Sequence, residues 1–260
     1  MQKLRTFVWL AISTGMLAGI PGRAELMPSF TTAPSGWFTD RYAPASFTNV
    51  GAYQGKDNVL GISISAAQAY NNRPPAYQYT FYNTQGDQYA LHSTGQNSIS
   101  AELYIPSAWD DAARGNVRTD MWGVMTNGTG VSAYPIIGFT NYGGAPRLRV
   151  WDEDAPAGWV DLADPVLYNR WNTFQITLTN TTFDYFANGT KVYSDTTING
   201  SEGFDAVIMQ AYNFGGDPSL SGAVPTDYTA HWANVPEPGT GFLMGTALLG
   251  LVGILRRRRR

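Results

Sequence analysis

Hydrophobic and polar residues alternate with a period of two along much of the chain. In one segment Ile99, Ala101 and Leu103 occupy alternate positions, and Ser100 and Glu102 lie between them. Successive side chains of a β-strand face opposite sides, so this pattern predicts strands with one apolar and one polar face. Twelve strands are predicted, at residues 60–66, 76–82, 98–105, 119–126, 134–140, 147–152, 158–162, 171–179, 182–187, 191–196, 206–212 and 226–232.

Turn residues separate these predicted strands at short intervals. Asn188 and Gly189 stand between two alternating segments, and Asn-Gly pairs also occur at 127–128 and 199–200. Both central residues of a type I′ hairpin turn need positive φ angles, which Asn and Gly adopt readily. One helical turn is predicted at residues 108–114. The whole pattern predicts an all-β fold, a two-layer antiparallel β-sandwich.

Composition agrees with many short strands joined by tight turns. The 260 residues include 28 Gly and 15 Pro, and 43% of them are hydrophobic, which suffices for a sizeable core. The chain contains no Cys, which excludes disulfides, thiolate catalysis and Cys-type zinc sites. Residues 25–235 contain nine Lys and Arg against 19 Asp and Glu, a net charge of −10. An acidic body argues against nucleic-acid binding, which needs a basic surface.

The N-terminus has the features of a secretory signal. Basic residues precede an apolar stretch at residues 7–20, and small residues follow at Gly22 and Ala24. This order predicts a signal peptide at residues 1–24, which signal peptidase removes by cleavage after Ala24. The alternative is a membrane-anchoring helix, although the apolar stretch is short for the ~20 residues that span a bilayer.

The C-terminus combines three elements in a fixed order. Pro236, Glu237 and Pro238 are followed by an apolar segment at 241–255, predicted to form a short transmembrane helix, and then by five arginines at 256–260. This arrangement resembles the PEP-CTERM sorting signal. The resemblance implies transient anchoring in the inner membrane and recognition by an exosortase, which cleaves near the tripeptide. The alternative is a plain single-span anchor, with the arginines on the cytoplasmic side.

Two consecutive segments of the body together form a recognisable sequence pattern. The first begins Trp171-Asn-Thr-Phe-Gln-Ile-Thr-Leu, and the second reads Phe183-Asp-Tyr-Phe-Ala-Asn-Gly-Thr-Lys-Val. This series of a Trp, an alternating strand and an Asn-Gly turn resembles the laminin-G-like members of the concanavalin A-like lectin and glucanase fold. The resemblance implies a jelly roll over residues 25–235, in which first and last strands, near 36–42 and 228–232, are paired.

The body lacks the carboxylate series that glucanases of this fold carry. That series, Glu-x-Asp-x-(x)-Glu on one strand, places alternate carboxylates on the same face. The Glu residues of the body, Glu25, Glu102, Glu153 and Glu202, do not have this spacing. No Gly-x-Ser-x-Gly segment marks a serine nucleophile either. No catalytic residue is assigned, and the sequence leans against an enzyme.

Candidate metal ligands are few. Asp152, Glu153 and Asp154 are consecutive, and we interpret them as a solvated strand end. A calcium ion is the alternative there, since carboxylates on a loop suit a hard cation. His92 and His231 are too few and too far apart in sequence for a zinc site. No metal or cofactor is therefore predicted, and His231 is interpreted as structural.

Polar and aromatic side chains share the faces of several predicted strands. Flat aromatic rings and planar polar groups suit the CH faces and hydroxyls of sugars. If these strands are neighbours, they form one sugar-binding sheet, to which residues 76–82 also contribute. The predicted carbohydrate-binding residues are Glu102, Tyr104, Trp122, Arg147, Arg149 and Trp151.

The sequence therefore predicts three parts: a signal peptide at 1–24, a β-sandwich at 25–235 and a sorting tail at 236–260. The predicted protein is exported to the cell surface or extracellular matrix of a Gram-negative bacterium, where it binds exopolysaccharide without cleaving it. Two alternatives remain: a glycoside hydrolase or polysaccharide lyase with atypical catalytic residues, and a structural coat protein without a ligand.

Overall fold

The computed structural model describes residues 29–91 and 95–235. The predicted signal peptide, the Pro-Glu-Pro tripeptide, the apolar segment at 241–255 and His92 lie outside the described residues. Within them, the chain forms two antiparallel sheets that pack face to face. The predicted all-β, two-layer antiparallel sandwich is confirmed.

One sheet has eight strands, in the order β1-β4-β14-β6-β8-β9-β10, with β7 paired to β6. All its pairs are antiparallel, and β6 and β14 form its centre. Its strands are β1 (Trp37–Thr39), β4 (Thr84–Ala90), β6 (Arg118–Thr126), β7 (Val131–Ala133), β8 (Ile136–Thr140), β9 (Arg147–Trp151), β10 (Trp159–Asp161) and β14 (Gly203–Tyr212).

The second sheet has seven strands, in the order β13-β12-β11-β5-β15-β3-β2. The predicted hairpin at Asn188 and Gly189 joins β12 to β13, and φ angles of 52° and 79° at these residues confirm the positive-φ turn. The strands are β2 (Ser46–Asn49), β3 (Leu60–Ile64), β5 (Ser98–Ile105), β11 (Arg170–Leu178), β12 (Phe183–Ala187), β13 (Thr190–Asp195) and β15 (Tyr228–Ala233).

The core lies between the sheets and is built from their inward-facing alternate residues. In β5 these are Ile99, Ala101 and Leu103, each fully buried, as the alternation predicts. The opposite sheet contributes Met121 and Ile137, among others, to the same cluster. Burying a large aliphatic side chain stabilises the fold by roughly 1.5–3 kcal/mol, so this double layer supplies the main driving force for folding.

One predicted strand is wrong. Residues 76–82 contain no strand and lie in 3₁₀ turns, of which Pro75–Tyr77 begins at a proline. Pro fixes φ near −65° and lacks an N–H, which favours the start of a helical turn over a sheet ladder. The alternating aromatic residues there are exposed, with Tyr79 at 65% and Phe81 at 58% exposure. The alternation in this segment therefore does not mark a buried face.

The predicted helical turn is present, whereas the predicted pairing of the first and last strands is not. The helical turn predicted at 108–114 is present as two 3₁₀ turns, Ser107–Asp110 and Ala112–Arg114. The first and last strands do not pair, since β1 lies beside β4 in one sheet and β15 between β3 and β5 in the other. No helix within the described parts of the chain has both the length and the apolar character to cross a membrane.

The core packing generates a stability prediction. Leu103→Ala removes a fully buried side chain at the centre of the seven-stranded sheet, so the free energy of unfolding should fall by about 2–5 kcal/mol. Val131→Ala changes a side chain that is 55% exposed, and the change there should stay within about 0.5 kcal/mol. Urea denaturation of both variants measures the difference. Equal losses would contradict this position of the core.

Candidate functional site

The outer face of the eight-stranded sheet carries a row of mostly polar residues that crosses five strands, β14, β6, β8, β9 and β10. The strand register places Gln210 opposite Asp120, Asp120 opposite Gly138, and Gly138 opposite Arg149. Arg149 is in turn opposite Asp161 on the edge strand β10. We call these five residues the central row. Because their inward-facing neighbours belong to the core, the row lies on the outer side of the sheet.

Apart from the exposed Asp161, the central row is buried and incompletely hydrogen-bonded. Gln210 and Asp120 are each 1% exposed, and Arg149 is 8% exposed. Among the described residues, Asp120 Oδ1, both amide atoms of Gln210, and Nε and Nη2 of Arg149 have no hydrogen-bond partner. A buried polar group without a partner costs about 1–3 kcal/mol, so native proteins rarely keep several together. These donors and acceptors are therefore left unsatisfied by the protein itself.

A glycine makes room for the carboxylate in this row. A Cβ atom on Gly138 would lie 2.3 Å from Asp120 Oδ1 and 2.4 Å from the carbonyl oxygen of Thr119. Both distances are far below van der Waals contact, so no side chain fits there while Asp120 keeps its position. The other oxygen of Asp120, Oδ2, accepts a hydrogen bond of 2.7 Å from Nε of Arg118.

A second row on the same face is apolar and aromatic. Trp122 is opposite Ile136, Ile136 opposite Trp151, and Trp151 opposite Trp159. We call these four residues the aromatic row. Trp122 and Ile136 belong to a small buried cluster separate from the core, and Trp151 and Trp159 pack against it. The rings of Trp151 and Trp159 meet edge to face, with centroids 5.3 Å apart.

Arginine side chains lie over these rings. The guanidinium of Arg149 is 3.6 Å from the ring centroid of Trp159, and that of Arg118 is 4.7 Å from the same ring. Arg41 lies 4.5 Å from the ring centroids of both Trp122 and Phe81. A cation over an aromatic face gains about 0.5–2 kcal/mol, more where water is excluded. The two rows are therefore held together by cation–π contacts as well as by the sheet.

The charge state of Arg149 follows from its surroundings. Burial lowers its pKa to about 9, with a further decrease from the nearby Arg118, while Asp120 opposes the decrease. The residue is still mainly a cation at neutral pH. Arg147 lies two residues before Arg149 on the same face of β9, and its Nε forms an ion pair with Asp161 at 2.7 Å.

Exposed aromatic side chains lie at the border of this face. Phe81 contacts Arg41, and Tyr134 meets Trp122 edge to face at 6.4 Å. Phe38 on β1 pairs with Gln88 on β4, and this register places Phe38 on the same side of the sheet as the aromatic row. Phe38, Phe81 and Tyr134 are between 46% and 58% exposed. They form an aromatic border open to solvent.

The structure brings four of the six predicted carbohydrate-binding residues together and separates the other two. Trp122 on β6 and Arg147, Arg149 and Trp151 on β9 share the outer face of the eight-stranded sheet, with β8 between their strands. The prediction of a single sheet is wrong for two residues, because their strand pairs with β11 and β15 in the opposite sheet. These two are Glu102 and Tyr104, both on β5.

Glu102 and Tyr104 are covered by a hairpin at Tyr53 and Lys56. Lys56 Nζ forms an ion pair with Glu102, whose other oxygen accepts a 3.4 Å hydrogen bond from Thr173. Tyr53 meets the ring of Tyr104 edge to face, with centroids 5.5 Å apart. Their polar and aromatic character therefore serves the docking of this hairpin on the outer face of the seven-stranded sheet.

Sequence reasoning missed several residues of the face, among them Trp159, Arg118 and Arg41. Trp159 lies in the predicted strand at 158–162, and Arg118 directly precedes the one at 119–126, so the alternation already aligns them with Asp161 and Asp120. Arg41 carries no such signal, because it lies outside the named strands and reaches Trp122 only through tertiary folding.

The acidic loop after β9 is hydrogen-bonded within the protein. Asp152 accepts a 2.6 Å hydrogen bond from the hydroxyl of Tyr193, which raises the pKa of that tyrosine to about 12. The side-chain carboxylate of Glu153 accepts a hydrogen bond from the side-chain amide of Asn199. Within residues 29–91 and 95–235, no three acidic or histidine side chains form a group able to hold a metal ion. Calcium at this loop stays the untested alternative to a solvated strand end.

The family comparison concerns the C-terminus. Residues 234–260 match the model of the PEP-CTERM protein-sorting motif. The chain carries this sorting motif. The match implies processing by an exosortase and export towards the cell surface, as the resemblance of the tail predicts. No curated protein matches the chain in sequence.

Solved structures with a similar fold are glycan-active enzymes of low sequence identity. A laminarinase from Flavobacterium sp. UMI-01 is 13% identical, with a TM-score of 0.48 over 79% of this chain and 96% of its own. A β-1,3-1,4-glucanase from a mouse hindgut metagenome is 14% identical, with a TM-score of 0.46 over 79% and 94%. A Bacillus licheniformis β-glucanase is 13% identical, with a TM-score of 0.40 over 80% and 96%. At such values the similarity carries no information about activity.

The geometry of the central row generates a prediction for Gly138. Gly138→Ala should lower the free energy of unfolding by more than about 1 kcal/mol, since the added methyl group displaces the Asp120 carboxylate. Gly130→Ala is the matched control, because no atom lies within 4 Å of a Cβ there, and its effect should stay within about 0.5 kcal/mol. Thermal unfolding of both variants measures the effect. A neutral Gly138→Ala would show that the carboxylate is not held across the glycine.

The hairpin contact generates a pH prediction. The ring of His231 stacks on Tyr53, with centroids 3.8 Å apart, and burial holds the pKa of His231 below its ordinary value. The unfolded chain therefore takes up a proton near pH 6.5 that the folded chain resists, so stability should fall as pH decreases from 7 to 5. His231→Phe keeps a stacking ring without titration, and unfolding across this range should depend less on pH. An unchanged pH dependence would show that His231 does not contribute.

Proposed function

We propose that this protein is an exported surface or matrix protein that binds polysaccharide, without cleaving it, on the outer face of the eight-stranded sheet. The observation that carries the proposal is the central row. It holds unpartnered donors on Gln210 and Arg149 and unpartnered acceptors on Gln210 and Asp120. A sugar hydroxyl both donates and accepts, so a polyhydroxylated ligand can satisfy both kinds of group.

The aromatic residues support the same ligand class. Sugars present CH groups that pack on flat rings, and binding sites combine such rings with a few fixed polar groups. Trp151 lies partly exposed beside Trp159, next to Arg149 of the central row. Phe81 and Tyr134 add open rings at the border. A chain of several sugars can therefore pack on the aromatic border beside the central row.

The distribution of carboxylates within the central row supports binding without cleavage. The outward-facing alternate residues at the centre of β6 are Asp120, Trp122 and Val124, of which one is a carboxylate. Asp161, the other acid of the central row, is three strand spacings away, or about 14 Å. Glycosidases usually hold their two carboxyl groups about 5 to 9.5 Å apart.

The sorting motif supports the location. An exosortase substrate crosses the inner membrane before the tail is processed, so the sandwich reaches the exopolysaccharide outside the cell. Signal peptidase is the partner proposed for the N-terminus. Exopolysaccharide is the partner proposed for the sandwich.

A paired substitution tests the binding face. Trp151→Ala removes a ring from the aromatic row and should reduce retention on immobilised polysaccharide at least tenfold. Trp171→Ala is the matched control, because Trp171 is half-buried on the outer side of the opposite sheet, and retention should be unchanged. Pull-down on a panel of bacterial exopolysaccharides measures both. Equal retention by the two variants would place binding elsewhere.

A separate assay tests the proposal that the protein does not cleave polysaccharide. Incubating the protein with the same panel should release no reducing ends and no unsaturated products. Product release that is abolished by Asp120→Asn would show that the face is a catalytic site and would replace the binding proposal.

A further inference from the structure

The outer face of the eight-stranded sheet differs in charge from the rest of the protein. The body carries a net charge of −10, yet five of its nine basic residues lie on or beside this face. Four carboxylates accompany them, on Asp40, Asp120, Asp161 and Asp217. We call the five the arginine layer; it consists of Arg41, Arg73, Arg118, Arg147 and Arg149.

Two members of the arginine layer have no carboxylate partner. Among the described residues, neither Arg73 nor Arg149 has an acidic oxygen within 4 Å, whereas Arg41, Arg118 and Arg147 each have one. Arg73 is 3% exposed and Arg149 is 8% exposed. Both Nη atoms of Arg73, and Nε and Nη2 of Arg149, lack hydrogen-bond partners. Carboxylates lie nearby, Asp217 for Arg73 and Asp120 and Asp161 for Arg149, but none is in direct contact. A buried guanidinium without a direct ion pair is costly, so both arginines favour an anion of a ligand.

The way these arginines are held leaves several of their donors without a partner in the protein. The Arg149 guanidinium lies over Trp159 and that of Arg73 lies 5.3 Å from the ring centroid of Tyr42. Such contacts use the flat face of a guanidinium, whereas its N–H groups point outwards in its plane. That plane matches the paired oxygens of a carboxylate or sulfate, which it can bind through two parallel hydrogen bonds.

Asp120 adds a second chemical requirement that a ligand of this face has to meet. Its Oδ2 is paired with Arg118, and its Oδ1 stays an acceptor beside Gly138 and Arg149. A simple inorganic anion offers no hydrogen to that acceptor, but a sugar hydroxyl next to an acidic group offers one. The arrangement therefore fits acidic and hydroxyl groups on one ligand better than an isolated anion.

We propose that the ligand of this face is an acidic polysaccharide, whose carboxylate or sulfate groups are bound by Arg149 and the neighbouring arginines. This inference rests on the proposed function and specifies its ligand class. It also explains why a protein with few basic residues gathers them at one place.

Matched polymers test the inference with the full chain kept in mild detergent. Polygalacturonate is compared with its methyl ester, and dextran sulfate with dextran, so that the members of each pair share a backbone and differ in their charged groups. We expect at least tenfold tighter binding to the charged member of one or both pairs. That preference should shrink as sodium chloride rises from about 50 mM to about 500 mM, because salt screens exposed charges. The pair that shows the preference identifies carboxylate or sulfate as the bound group.

Single substitutions locate the charge preference. Arg149→Gln should remove most of the preference for the charged polymer, and circular dichroism shows whether that variant folds. Arg41→Gln, on a loop at the border, gives a second reading with less effect on packing, and binding should weaken several-fold. Arg170→Gln is the matched control, because Arg170 is an exposed arginine on β11 of the opposite sheet. Binding by this variant should match the wild type.

The outcomes separate the two proposals. Equal binding of charged and neutral polymers, with loss in Trp151→Ala, overturns the acidic ligand and leaves the proposed function standing. Binding of charged polymers that falls equally in Arg170→Gln and Arg149→Gln shows unspecific attraction and also overturns the inference. No binding to any polymer overturns both.

Discussion

The register of the eight-stranded sheet is the constraint on which the rest of the structure depends. Pairing Asp120 with Gly138 and Gln210 sends Met121 and Met209 into the core and leaves the polar groups outside. A slip of one residue would exchange the two faces, burying Asp120 between the sheets. The apolar residues of the core therefore fix the outer face as firmly as they fix the inner one.

The outer face carries a cost that the core must offset. Each buried polar atom without a partner costs about 1–3 kcal/mol, and Gln210 and Asp120 retain such atoms at 1% exposure. The cation–π contacts recover part of that energy, since Arg149 and Arg118 share the ring of Trp159. Arrangements that lower stability in the free protein are typical of surfaces that complete their bonding with a ligand.

The sequence predicted the sandwich because most strands alternate, and it failed where alternation has another cause. Strand β4 was missed because Thr84–Ala90 is polar on both sides, with Gln85 buried against Ala43 and Asn213. Within the face, Arg149 and Trp151 were predictable from one strand. The separation of Glu102 was not, because a strand's polar side does not reveal which sheet it joins.

The charge pattern bears on how a ligand would approach the proposed face as well as on the chemical class of that ligand. An acidic body repels an acidic polymer along most of its surface, while the arginine layer attracts it at one place. Opposed charges of this kind steer association and select orientation more than they add affinity. The three paired arginines shape the local field, and the two unpaired ones remain to bind. Since Arg149 lies beside both Asp120 and Trp159, the proposed recognition of charge, hydroxyl and ring converges on a single side chain of the sheet.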